Sequence, residues 1–310
     1  PSTSLGDFLA ERKFRGPMVD DYLLPMAGAI WSAEPSRILA FPASRFGQFF
    51  RNHGLLQVDG RPEWRTVRGG SREYVRAMVR PLRERLRLST PVEWIERDHG
   101  RVTLKARGRP AAEFDEVILA CHSDQALALL RDAHATEREI LGAITYQDNH
   151  VALHTDLRML PRRRRAWASW NYHRRGYRGQ NSVTYNLTRL QRLPTHRQFL
   201  VTLNGEESVD PATILYRHTY SHPFFDAACV RAQGRRAEIN GVRRTWFCGA
   251  YWGYGFHEDG VQSAVAVCNA LEAQGRLPPG RVPADPATSG LDKAQPEAVS
   301  DAQLYLSGTN

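Results

Sequence analysis

The sequence predicts an α/β protein of mixed α+β character. Three observations carry that reading. Helical and strand-like patterns alternate along the chain rather than forming separate blocks. Phe114-Asp115-Glu116-Val117-Ile118-Leu119-Ala120 reads as a buried strand. Far along the chain, Thr245-Trp246-Phe247-Cys248 reads as a strand that runs into a glycine-rich loop and then a helix of small residues, Val261 to Leu271.

Residues 5–60 read as mostly helical. Ser44 is a plausible N-cap for a helix carrying Phe46, Phe49 and Phe50 and ending near Asn52-His53-Gly54. These rings recur at i, i+3 and i+4, the spacing of a core face or of an apolar cavity wall. A short strand-like piece, Trp64-Arg65-Thr66-Val67, leads through Gly69-Gly70-Ser71 to a helix over 71–85. Its predicted apolar face holds Tyr74, Val75, Met78, Val79 and Leu82. Pro91 to Arg97, a tight turn at His99-Gly100, and the alternation of Val102, Leu104 and Ala106 predict a hairpin. Ser123-Asp124 begins a helix through Leu127 and Leu130. Strands are predicted around 151–154, 166–170, 182–185 and 199–203. The segment after Arg276 is rich in Pro, Ala and Ser and is expected to be disordered.

With 310 residues, 42% of them hydrophobic, the chain can bury a substantial core. Cys121, Cys229, Cys248 and Cys268 are widely spaced, and none forms a C-x-x-C pair, so a reduced, cytoplasmic protein is expected. No apolar run reaches membrane-spanning length. The formal net charge is +9, carried mostly by arginine, since lysine occurs only at Lys13, Lys105 and Lys293. No nucleic-acid module accompanies this charge, so nucleic acid is not an expected partner. An anionic membrane surface is the sharper alternative to plain solvation for the run Arg162-Arg163-Arg164-Arg165.

The most informative stretch is Gly249-Ala250-Tyr251-Trp252-Gly253-Tyr254-Gly255-Phe256-His257-Glu258-Asp259-Gly260. Glycines remove side chains where a planar ligand must lie against backbone. Gly260 is read as opening a helix, whose N-terminal amides and dipole favour an electron-rich ligand edge. Phe247-Cys248-Gly249-Ala250, followed by Gly255 to Gly260 and Ser263-Ala264, resembles the C-terminal cofactor motif of the flavin-containing amine oxidase superfamily. More narrowly, it resembles the bacterial NAD/FAD-binding oxidoreductases encoded beside cyclopropane-fatty-acyl-phospholipid synthases. Leu23-Leu24-Pro25-Met26, Trp64 to Ser71, Asp115 to His122 and Trp167 to Tyr172 fit the same group, in order.

The resemblance implies an FAD-binding Rossmann-like domain, incomplete here, with an inserted sheet-and-helix substrate domain. Residues 1–60 would be the helical part of the substrate domain, 61–123 part of the FAD domain, 124–240 the substrate-domain sheet and 241–275 the C-terminal FAD-binding unit. It also implies roles: Gly249 and Ala250 beside the ribityl or pyrophosphate, Gly260 and Val261 beside the isoalloxazine, the Val92 backbone near adenine and Ala120 on the dinucleotide's path. The expected activity is FAD-dependent oxidation or dehydrogenation of an apolar, lipid-like small molecule. The alternative is a non-catalytic remnant or binding protein of the same fold.

The chain begins at Pro1 with residues that read as already helical, and no G-x-G-x-x-G turn follows any strand. A truncated start, weak FAD binding and an inactive isolated chain are therefore expected. Two departures from the family pattern weigh against amine oxidation itself: Ala250 stands where many relatives have an acidic residue, and no lysine is placed to hold a flavin-side water. His150/His154 and His218/His222 show H-x-x-x-H spacing, but on non-helical sequence with no third ligand, so no metal is expected. His257 and Glu258 are read chiefly as shaping the loop. Cys121 and Cys248 are read as small core residues. No catalytic residue emerges.

Overall fold

In the computed structural model, described residues are 3–276 apart from 61, 62, 64, 99 and 175–180. Trp64, His99 and the segment after Arg276 therefore lie outside the description. The chain opens with four helices, α1 (Leu5–Glu11), α2 (Leu24–Trp31), α3 (Pro35–Leu39) and α4 (Ala43–Asn52), with a π-helical turn at Met18–Leu23. Ser4 caps α1, its hydroxyl accepting from the Asp7 amide at 3.1 Å. The expected cap at Ser44 is corrected: Pro42 is the N-cap of α4, its extended conformation ending the preceding chain so that Ala43 starts the helix. Phe46, Phe49 and Phe50 are all buried. Trp31 packs its ring 4.7 Å from Phe49 and 4.9 Å from Phe41, and Phe46 stacks on Phe50 at 4.3 Å.

The predicted helix over 71–85 is α5 (Arg72–Val79) continued by a 3-10 turn, Arg80–Arg85. Its apolar face is only partly covered: Tyr74 meets His257 and Val79 is half-buried, but Val75 is 46% and Met78 66% exposed. Helical period foretold the stripe, but period alone does not supply a partner.

A three-stranded antiparallel sheet follows, with β1 (Val92–Asp98), β2 (Arg101–Ala106) and β3 (Ala112–Phe114) in that order. The single buried strand expected over 114–120 is corrected. Chain polarity at Asp115-Glu116 divides it into β3, which stays with β2, and β4 (Val117–Leu119), which turns away. Only Leu119 of β4 is buried, while Phe114 and Ile118 are exposed. Helices α6 (Ser123–Leu129, with His122 at the N-cap) and α7 (Ala135–Gly142) come next.

The middle of the chain forms a five-stranded antiparallel sheet. Its strands are β5 (Tyr146–His154), β6 (Trp170–His173), β7 (Ser182–Asn186), β8 (Leu200–Leu203) and β9 (Ile214–Pro223), in the order β6-β7-β8-β5-β9, with α8 (Leu187–Leu190) between β7 and β8. The strand expected at 166–170 starts only at Trp170, because Arg164–Ala166 close a 3-10 turn. Strand β9 was not foreseen: its exposed Arg217, His218 and Thr219 carry no apolar signal, and it is held by nine register pairs with β5.

After α9 (Ala227–Gly234) the chain enters β10 (Thr245–Phe247), then the glycine-rich loop, then α10 (His257–Ala273). β10 pairs in parallel with β4, Trp246 opposite Ile118. The neighbourhood of these two strands is as expected, despite their separation in sequence. No helix among the described residues is long and apolar enough to cross a membrane.

Arg97 joins β1, α7 and β10. Its side chain is 1% exposed and donates to Glu137 at 2.6 and 2.9 Å, to Asp132 at 3.0 Å and to the Thr245 hydroxyl at 3.3 Å. Burial pulls its pKa down, but Glu137 and Asp132 outweigh that and raise it. Breaking such a buried pair leaves an uncompensated charge. Glu137→Gln is expected to lower unfolding free energy by about 3 kcal/mol, read as a shifted urea midpoint. An unchanged midpoint would show that Asp132 alone satisfies Arg97.

Candidate functional site

Parallel pairing brings the carboxyl ends of β4 and β10 to one edge, where ligands gather in open α/β sheets. The Cys248 amide donates to Leu119 O at 3.0 Å, so Ala120 to Ser123 and Gly249 to Tyr251 leave the sheet side by side. Ala120 is exposed; Gly249 and Ala250 are half-buried.

The loop is fixed from within and without. Inside it, the Gly253 and Gly255 amides donate to Ala250 O at 3.0 and 3.1 Å. From α9, Gln233 Nε2 donates to Tyr251 O at 2.8 Å and to Gly253 O at 2.7 Å. Trp31 Nε1 reaches Tyr254 O at 3.2 Å. Two glycines are required by close packing. A Cβ on Gly249 would lie 2.4 Å from the Tyr251 ring, and one on Gly253 2.2 Å from the Asp259 carboxylate.

Gly260 differs: a Cβ there would meet only Ala250, at 3.8 Å and beyond. It does not open the helix as expected. α10 starts at His257, and the Gly260 amide already bonds Phe256 O at 3.2 Å. The amides of residues 257–259 therefore carry the unsatisfied N-terminal donors of a 17-residue helix. Asp259 accepts from the Phe256 amide at 2.9 Å, and buried Ser263 accepts from the Gly249 amide at 2.8 Å while donating to Gly260 O at 2.7 Å. Val261 is 49% exposed beside them. Glu258 bonds Gln262, and His257 bonds the Tyr74 hydroxyl at 2.8 Å, so both shape the helix start and its contact with α5.

Tyr251 is 3% exposed and its hydroxyl has no hydrogen-bond partner among the described residues. Burial, then Tyr146, raises its pKa far above the usual phenol. Burial pushes Tyr146 up to about 12, although its oxygen accepts from the Ser123 amide at 2.9 Å. His122 stacks on Tyr146 at 4.5 Å. His222, bonded to Asn149 Nδ2 at 2.8 Å, is lowered by burial and then by His122. Burial also raises Cys121 and Cys248, so neither is a ready thiolate.

Ala120, Gly249, Ala250, Gly260 and Val261 thus share one edge. Val92 does not: it is half-buried in the three-stranded sheet, opposite Ala106. Gln233, Tyr146 and Tyr251 were missed. Only Tyr251, an aromatic between two glycine positions, carried any signal. Among described residues no three His, Cys, Asp or Glu side chains are grouped to hold a metal. His154 is instead a buried structural residue. The Asp156 amide donates to its Nδ1 at 3.1 Å, so the proton sits on Nε2, which donates to Thr202 at 2.8 Å. Lys13 and Lys105 lie at the end of α1 and in β2, and Lys293 lies outside the described residues.

A family model described as flavin containing amine oxidoreductase matches residues 3–150. Solved structures share the fold. Cyclohexylamine oxidase from Brevibacterium oxydans IH-35A aligns over 87% of this chain and 68% of its own, at 15% identity and a TM-score of 0.57. Wild-type putrescine oxidase bound to putrescine aligns over 89% and 68%, at 16% identity and 0.62. Reduced UDP-galactopyranose mutase aligns over 88% and 69%, at 14% identity and 0.58. No curated protein sequence matches. The fold class is therefore the mixed helix-and-sheet fold of these flavin amine oxidase-like structures.

Two outcomes are expected. Tyr251→Phe removes a buried, unpartnered hydroxyl and should leave thermal stability unchanged or raise it, by up to about 1 kcal/mol. A clear loss would reveal an unseen partner. His154 has its pKa lowered by burial to about 4, against Asp156, which raises it. The unfolded chain then binds the proton first, so the stabilisation is complete above pH 6.5 and is lost as pH falls towards 4. The loss is up to about 3 kcal/mol. His154→Gln should flatten that part of the stability–pH curve, and an unaltered slope would refute the assignment.

Proposed function

We propose that the chain belongs to an FAD-dependent, amine oxidase-like oxidoreductase acting on an apolar small molecule. The carrying observation is the start of α10 at the shared edge of β4 and β10, where a Cβ on Gly260 would meet only Ala250, at ordinary contact distance. The family match supports the cofactor class.

The residues fit the group. The first-turn amides of α10 suit the electron-rich edge of a planar ring, and the dipole of a long helix adds to them. Gly260 leaves the approach clear, while exposed Val261 and Ala120 offer apolar contact. When bound, FAD supplies a two-electron acceptor for hydride from substrate.

A separate apolar groove of about 740 Å³ lies between α1, the π-helical turn and α4, lined by Phe8, Phe14, Met18, Leu23, Phe46 and Phe50. That volume suits a small-molecule ligand. α4 separates the groove from the loop: Phe46 and Phe50 face the groove, while Phe49 stacks on Phe256 at 5.4 Å. The rings of Tyr254 and Phe256 pack against Phe49, while Phe256, His257 and Glu258 at the start of α10 stay exposed.

Titration of FAD with the chain, followed by quenching of flavin fluorescence, tests this reading. Weak quenching that saturates only at high FAD is expected, and Gly260→Val should weaken it at least about tenfold further by placing a branched side chain against Ala250 without disturbing the packed loop. No saturable binding, or equal binding by the variant, would overturn it.

A further inference from the structure

The antiparallel register places His154, Trp170, Asn186, Leu200 and Ile214 at one end of the five-stranded sheet. Two connections therefore leave and return at that end, 155–169 and 187–199, and the last part of the β8–β9 connection, 209–213, arrives there. They are tied together by Asn186 N to Ser169 O at 2.9 Å, Leu187 N to Phe199 O at 2.9 Å and Thr155 N to Thr213 O at 3.2 Å. A small core of Met159, Leu160, Leu200 and Val209 lies beneath them.

The charge on this end is one-sided. Arg162 to Arg165 on the first connection, and Arg189, Arg192 and Arg197 on the second, are all exposed. None of these guanidinium groups has an ion pair or hydrogen bond with a described residue. The nearby carboxylates, Asp156 and Asp210, are taken by Arg158 at 2.7 and 3.7 Å. Between the arginines, Leu157 is 46% and Leu190 37% exposed.

We propose that this end of the sheet docks the protein on an anionic phospholipid bilayer. Unpaired arginines on two connections gain from the negative surface potential together. The two leucines can enter the headgroup boundary, which a purely electrostatic contact with a polyanion would not require. A nucleic acid is the less suited partner, because the end offers no free stacking ring. Trp167 is half-buried, its Nε1 donating to Pro161 O at 2.8 Å and its face covered by Arg164.

The test is co-sedimentation of the full chain with vesicles of phosphatidylcholine, with and without phosphatidylglycerol. Binding is expected only to the mixed vesicles, weakening as salt rises. Combined Arg162→Gln, Arg163→Gln, Arg164→Gln and Arg165→Gln should weaken it at least about tenfold. Combined Arg189→Gln, Arg192→Gln and Arg197→Gln on the other connection should do the same. Circular dichroism melting checks that both variants remain folded. A control set on the exposed helix, Arg76→Gln, Arg80→Gln and Arg83→Gln, should bind like the wild type. The proposal fails if the chain ignores anionic vesicles, if the control set abolishes binding while the two loop sets do not, or if an RNA or DNA oligonucleotide displaces the chain from the vesicles.

Discussion

The parallel pairing of β4 with β10 sets the position of every group at the candidate site. It is only three residues long, and so short a ladder cannot hold itself. Side chains around it do the holding. Trp246 donates from Nε1 to Glu116 at 2.9 Å, and Glu116 is also paired with Arg244 and Arg276. Asn240 accepts from the Phe247 amide at 2.6 Å and donates to its carbonyl at 3.3 Å, closing the outer edge of β10 as a neighbouring strand would. Arg97 ties the start of β10 to β1 and α7 through Thr245 and Glu137. The ladder fixes direction, and the polar clamps fix register.

From that pairing the loop geometry follows. Because Leu119 O accepts from the Cys248 amide, Gly249 must leave the sheet beside Ala120. Its amide is then spent on Ser263, so the first turns of α10 are brought against the strand end. Gly253 carries the packed side of the loop against Asp259, and Gly260 the open side. Two glycines that read alike in sequence thus differ: a Cβ on Gly253 would collide with Asp259, while one on Gly260 would meet Ala250 at ordinary contact distance.

This contrast shows what was legible beforehand. The strand, loop and helix at 245–273 could be read because apolar run, glycine cluster and small-residue helix follow one another without interruption. Phe46, Phe49 and Phe50 could be read because helical spacing and burial coincide. The break at Asp115-Glu116 was not legible, since a run of Val, Ile and Leu resumes at once after the two acids. β9 was hidden for the opposite reason: Ile214, Leu215, Tyr216 and Tyr220 do not alternate with polar residues towards a buried face, and the strand is held by its ladder to β5. Gln233, which pins the loop by two carbonyls, lies on a helix with no strong pattern of its own. Val92 was assigned to the adenine, not to this edge, through family resemblance alone, and it lies in the three-stranded sheet opposite Ala106.

The five-stranded sheet is stiffened by polar contacts rather than by apolar packing alone. Thr184, Thr202 and His154 form a buried hydrogen-bonded line across β7, β8 and β5, with both links at 2.8 Å. Asn149 and Asn204 are joined at 2.7 Å, and Asn171 bonds Ala168 O at 2.8 Å and Thr184 O at 3.2 Å. Each of these groups would be costly if left unpaired, so together they admit one register. A one-residue slip would orphan the line and also turn the faces over. The same restriction fixes where both ends of the sheet present their loops. At one end Tyr146, Asn149 and His222 approach the carboxyl ends of β4 and β10 through His122 and Ser123. At the other, the arginine-bearing connections emerge together. Polar order inside the sheet is thus what separates the end that meets β4 and β10 from the charged end on one rigid element.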